Sequence, residues 1–182
     1  MDNQTTIIIL MLFLSAFFSG MEIAFISANK VYLELEKKQN NIVAKVLTQI
    51  TKKPSKFIAT MLIGNNIALV IYGFYMGDFL LLWLDSIANP DFGLINFFFD
   101  EARLFTQTVI STLVILFTAE FFPKVFFQIY SNNLIKIFSI PAYVFYIAFS
   151  FLSSFVIWIS DLVLNKFFKI ELSQSVFKDE VR

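Results

Sequence analysis

The stretch Ile7–Ile26, IIILMLFLSAFFSGMEIAFI, decides the fold class. Its only charge is Glu22, and its length meets the ~20 apolar residues that a helix needs to cross a hydrocarbon core of about 30 Å. A signal peptide would carry a basic leader and a shorter apolar run, whereas Asp2 is the only charge ahead of this one. It reads as a retained helix with its N-terminus outside. Two further runs follow. Phe57–Leu84 is interrupted by Gly64, Asn65, Asn66, Gly73 and Gly77, and Leu104–Phe122 ends at Pro123-Lys124. The whole chain agrees: 58% of its 182 residues are hydrophobic and 25 are Phe. The expected architecture is an all-α integral membrane protein with three transmembrane helices per subunit plus juxtamembrane or belt helices.

Charge placement orients these runs. Seven lysines (30, 37, 38, 45, 52, 53 and 56) lie between the first and second runs, against Glu34 and Glu36. Apolar residues recur among them at roughly helical spacing, which fits amphipathic helix at a cytosolic membrane surface or a solvated loop helix. Asp85–Glu101 holds four acidic residues and no lysine, so the positive-inside rule places it outside. Pro141–Leu164 is apolar and long enough to cross. Crossing there would carry Lys166, Lys169, Lys178 and Arg182 outside, against the same rule. Tyr146, Ser150, Ser153, Ser160 and Asp161 also share a helical stripe, so three crossings and an interfacial or belt-like helix are expected in preference to four. The expectation is a multi-pass protein of the cell (inner) membrane with its C-terminus cytosolic.

The chain has neither Cys nor His. A thiolate site, an imidazole base and a cysteine nucleophile are thereby excluded, and any bound metal is held by oxygen. No enzyme is expected, since no carboxylate pair lies at matched depth.

The polar residues inside the apolar runs are the candidate site. Ser15, Ser19, Glu22 and Asn29 fall on one stripe of the first run. A buried Ser alone often bonds back to its own helix. Gly64-Asn65-Asn66 is mid-membrane, where an amide must find partners or line a site. Gly73 and Gly77 are spaced for close helix packing. Glu120 is the sharpest residue, an intramembrane carboxylate whose cost needs a cation, a proton or a basic partner. Lys124, one turn on, is the structural alternative. Pro123 withholds a hydrogen bond from the Ala119 carbonyl and should kink the helix beside the carboxylate. At ~1.5 Å rise per residue, Ser19 and Asn65 share a level, with Ser15 a turn above and Glu120 a turn below. Hydroxyl, amide, carbonyl and carboxylate oxygens suit Mg²⁺, Ca²⁺ or Na⁺.

Three segments also resemble a known family in order and spacing. Leu14-Ser15-Ala16-Phe17-Phe18-Ser19-Gly20-Met21-Glu22-Ile23-Ala24 resembles the first-helix motif of the CorC/CNNM (cyclin M) transmembrane domain. Leu62-Ile63-Gly64-Asn65-Asn66 is similar to its second-helix motif, and Glu120-Phe121-Phe122-Pro123-Lys124 to its third. The resemblance covers residues 1–182 as one such domain. It implies a homodimer embedded in membrane lipid, with Mg²⁺ held in an inward-facing cavity by Ser15, Ser19, Gly64, Asn65, Ala119 and Glu120. Glu22, Asn66, Gly73, Gly77, Pro123 and Lys124 take structural or gating parts. It further implies Mg²⁺ export driven by Na⁺ entry, cytosolic CBS-type domains after residue 182, and no nucleic-acid partner. One departure is Ala119, where the family usually has Gly; the methyl narrows the approach to the neighbouring carbonyl. A membrane anchor or cation sensor for cytosolic domains is the competing function.

Overall fold

The computed structural model describes residues 3–87 and 102–168, with side chains described through 83 and 164 respectively. The expectations for Asp2, for the outer segment around Asn89-Pro90-Asp91 and for the tail lie outside these residues. α1 (Asn3–Ser27) and α4 (Pro54–Ile87) are single uninterrupted helices. Gly64-Asn65-Asn66 does not break α4, because a glycine in a packed helix costs only about 1 kcal/mol, less than its neighbours return. At ~1.5 Å per residue α4 is roughly 50 Å long, so it projects beyond a 30 Å core.

The third run is not α-helical throughout. α5 (Arg103–Ile115) passes into a π-helical turn (Leu116–Phe121) and then α6 (Phe122–Ile129), with Pro123 in the first turn of α6. The Phe122 N–H bonds to the Phe117 carbonyl, five residues back. The π-helical turn lies just ahead of the residue that lacks a backbone donor, and 103–129 remains one span by length and apolarity. Among the described residues, three helices are thus long and apolar enough to cross a membrane, Asn3–Ser27, Pro54–Trp83 and Arg103–Ile129, or four if the bent pair Ser131–Ala148 and Ser150–Leu164 is one span.

The remaining helices lie around them. α2 (Lys30–Lys37) and α3 (Ile42–Lys52) form a hairpin between α1 and α4. Asn29 caps α2, its Oδ1 accepting from Val31 N–H at 2.8 Å and Tyr32 N–H at 3.2 Å. Asn29 therefore does not belong to the α1 stripe; capping chemistry took it instead. Asn41 caps α3 through the Ala44 N–H at 2.7 Å. α7 (Ser131–Ala148) and α8 (Ser150–Phe168) are bent by 70° at Phe149. The stripe expected from Tyr146 to Asp161 is broken there. Ser150 accepts a hydrogen bond from Lys56 Nζ at 2.6 Å and Ser153 is buried, while Ser160 and Asp161 are exposed.

α7 packs on α1 and α3, and α8 packs on α4. Aromatic rings fill the α1–α7 seam. Phe18 meets Phe145 edge-on at 4.7 Å between centroids, and Phe17 meets Phe138 at 5.9 Å; such pairs add about 0.5–1.5 kcal/mol beyond their burial. An ion pair joins the hairpin to α7, with Lys136 Nζ 2.7 Å from the buried Glu36 carboxylate. That contact holds the Glu36 carboxyl below its ordinary value of 4.5.

Candidate functional site

α1 is the common wall of the site, packing on α4, on the π-helical turn and on α6. Two glycines allow the close approach. A Cβ on Gly64 would lie 2.7 Å from the Phe18 ring, and one on Gly20 would lie 2.5 Å from the Phe127 ring. Each glycine is thus the seat of a phenylalanine wedge. The first wedge sets Ser15 opposite Asn65.

Ser15 and Ser19 are fully buried. Ser15 Oγ donates to Asn65 Oδ1 at 2.5 Å, a short bond across the α1–α4 seam. Ser19 Oγ has no hydrogen-bond partner among the described residues. That is unusual. Thr60, Thr118 and Ser160 all bond back to the carbonyl four residues earlier, as hydroxyls in helices do. A buried hydroxyl left unbonded costs about 1–3 kcal/mol, so Ser19 keeps its lone pairs available at a penalty. Ser15, by donating its proton to Asn65, also leaves both of its own lone pairs unused.

Ala119 is fully buried within the π-helical turn that packs on α1. π-helical turns recur at functional sites because they displace side chains from the α-helical register. Glu120 follows Ala119, about one-third exposed, with Oε2 3.8 Å from Lys124 Nζ. That separation is an ion pair but too long for a hydrogen bond. Lys124 also lies within electrostatic reach of Glu22 on α1.

The structure does not bring in every candidate. Asn66 is exposed and turns away, its Nδ2 donating to the Leu62 carbonyl of its own helix at 3.0 Å. Gly77 meets the Gln107 amide of α5, where a Cβ would lie 2.9 Å from Nε2. Gly73 has open space around it, so the expected paired role in close packing holds within the protomer for Gly77 alone. Among the described residues, no three of His, Cys, Asp and Glu converge; the set rests on hydroxyl, amide and carbonyl oxygens beside Glu120. Sequence reasoning missed three features: the Phe wedges, the π-helical turn, and the buried Tyr72, whose hydroxyl donates to the Ser111 carbonyl at 3.3 Å and ties α4 to α5. Gly20, inside the first motif and one residue from Ser19, was the available signal for one wedge.

The model of the cyclin M transmembrane N-terminal domain matches residues 6–181. The chain belongs to the cyclin M family. The UPF0053 inner membrane protein YfjD of Escherichia coli (strain K12) is 28% identical over 120 residues, which are 66% of this cyclin M chain and 24% of YfjD. The cyclin M chain thus spans about a quarter of that relative's length. Ser15, Asn65 and Glu120 all lie inside the family-matched region.

Proposed function

We propose that this cyclin M chain moves Mg²⁺ across the membrane through the oxygen set between α1, α4 and the π-helical turn. The observation that carries the reading is the buried Ser19 hydroxyl with no partner, one turn from the Ser15–Asn65 bond. Buried polar groups are nearly always bonded, so an orphan beside a bonded polar pair marks a place for something that supplies the missing interaction. Hard oxygens suit Mg²⁺, which accepts neutral ligands and water in an octahedral shell. Ser15, Ser19, Asn65 and the Gly64 and Ala119 carbonyls are neutral ligands in this scheme, and Glu120 is the charged one. An arriving ion competes with Lys124 for Glu120, and the ammonium takes the carboxylate back as the ion leaves. A single carboxylate under-neutralises a divalent ion, which favours release as well as binding. Export with Na⁺ entry as its driver, an N-terminus outside, a homodimeric assembly and CBS-type cytosolic partners complete the proposal; the resemblance of the three motifs supports them.

A second reading, an anchor or cation sensor for cytosolic domains, would use the same oxygen set without flux. Reconstituted liposomes with a trapped Mg²⁺-sensitive dye separate the two. The parent should change internal Mg²⁺ under an imposed Na⁺ gradient, and Glu120→Gln should lose both flux and calorimetric binding while keeping its melting temperature. Lys124→Met, which deletes the competing cation, should bind Mg²⁺ several-fold more tightly. Flux that survives Glu120→Gln would sink the site; binding without flux would favour the sensor.

A further inference from the structure

The α2–α3 hairpin is tied to two membrane helices by very short connections. Only Ala28 and Asn29 separate α1 from α2, and only Lys53 separates α3 from α4. The hairpin is therefore held close to the C-terminal end of α1 and the N-terminal end of α4. Its inner face is fixed, with Leu33, Ala44, Val46, Leu47 and Ile50 buried and Glu36 bonded to Lys136.

Its outer face has a regular composition. On α2, Val31, Leu35 and Lys38 fall at spacings of four and three, one stripe of a helix. On α3, Ile42, Lys45, Gln49 and Lys52 do the same at three, four and three. All seven are exposed, with Val31, Leu35 and Ile42 at 68%, 60% and 69%. Each stripe begins apolar and ends in lysine. The hairpin's two carboxylates do not neutralise these lysines: Glu34 is held by Lys37 at 2.6 Å and Glu36 by Lys136. Among the described residues, Lys30, Lys38, Lys45 and Lys53 enter no ion pair.

We propose that this outer face binds anionic phospholipid headgroups of the leaflet on which the hairpin lies. Val31, Leu35 and Ile42 enter the boundary between headgroups and acyl chains, and Lys38, Lys45, Lys52 and Lys53 meet phosphates. The combination of isolated apolar tips and unneutralised ammoniums is that of an interfacial helix. The short connections hold the lysines near the ends of two membrane helices, and a lysine within a Debye length, about 8 Å at physiological salt, of an anionic surface is attracted to it. An acidic protein segment is disfavoured, because the apolar tips are spread singly along two helices and form no continuous groove.

The test is lipid retention by the purified chain, read by native mass spectrometry after exposure to micelles containing equal phosphatidylglycerol and phosphatidylcholine. The parent should retain phosphatidylglycerol several-fold over phosphatidylcholine, and the preference should fall as salt rises. Lys38→Gln, Lys45→Gln, Lys52→Gln and Lys53→Gln combined should bring it to parity, while the corresponding four arginines should preserve it. Melting in lipid-free detergent checks that each variant folds. If the glutamine variant does not fold, the parent's salt dependence decides. No preference in the parent, a preference unmoved by salt, or one kept by a folded glutamine variant overturns the proposal. Displacement of the phosphatidylglycerol by polyglutamate at equimolar headgroup charge also overturns it, assigning the face to an acidic protein segment.

Discussion

Two serines on one helix, four residues apart and both buried, are chemically distinct. Ser15 is bonded and Ser19 is not. Their truncations should therefore differ in sign. Ser15→Ala leaves the buried Asn65 carbonyl oxygen without its donor and should lower stability by about 1–3 kcal/mol. Ser19→Ala removes an unsatisfied hydroxyl, so its melting temperature should stay level or rise. If the proposed site holds Mg²⁺, both should weaken its binding, since each variant loses one neutral oxygen that a water replaces only in part. Parallel melts and titration calorimetry read the two effects separately. A Ser19→Ala variant that melts lower while binding normally would return Ser19 to an ordinary packing role. Residue types and depth made Ser15, Ser19, Asn65 and Glu120 legible from the sequence. The difference between the serines was not legible, because it depends on which hydroxyl finds a partner across the seam.

Among the helices, the glycines make the sharpest contrast. Gly64→Ala drives a methyl into the Phe18 ring, and overpacking of this kind costs about 1–3 kcal/mol. Gly73→Ala meets nothing within the protomer and adds helix propensity worth about 1 kcal/mol. Thermal melts of the two variants should move in opposite directions. Periodicity could not tell these glycines apart, since both lie in one long helix and differ only in what comes up against them. The hairpin carries a separate pH signature. Glu36 titrates below 4.5 when folded because Lys136 bonds to it. The folded state then binds fewer protons than the unfolded one, so this contact stabilises fully above 4.5 and is lost as pH falls through the depressed value. Melting temperature between pH 3 and 6 should rise with pH more steeply in the parent than in Glu36→Gln. Equal slopes would show the pair to be energetically idle. Sequence placed Glu36 among the lysines of its own segment; its partner 100 residues away was out of reach of any local pattern.

Across the whole molecule, apolar surface is distributed unevenly. In the most apolar 18-residue stretch of Asn3–Ser27 and of Pro54–Trp83, 39% of residues are buried, whereas in that of Arg103–Ile129 only 11% are. The exposed face of that span includes Leu104, Phe105, Leu113, Phe117, Phe121 and Phe122, and α4 presents the open Gly73 and the polar Asn66 nearby in sequence to Val70 and Phe74. An amide facing lipid is costly, which favours a second copy covering part of this surface. A dimer should therefore persist on dilution in mild detergent, as read by light-scattering mass, and a monomer at all concentrations would remove it. The three long helices were legible because twenty-residue apolar runs have few other uses. The α7–α8 region was less so: α7 and α8 bend by 70° inside what reads as one apolar stretch, and no residue at Phe149 announces the break.

The π-helical turn at Leu116–Phe121 also bears on how relatives are compared. A π turn accommodates one residue more than an α turn while the helix continues on either side. It works like an insertion that the polymer has absorbed without shifting its reading frame: α5 keeps its phase against α4, and α6 keeps its phase against α1. A family member with one residue fewer between Ser111 and Glu120 can thus place the same side chains at both ends of the span with a plain α-helix. A single-residue gap there in a pairwise alignment is a change of winding, and the residues on its two sides remain equivalent.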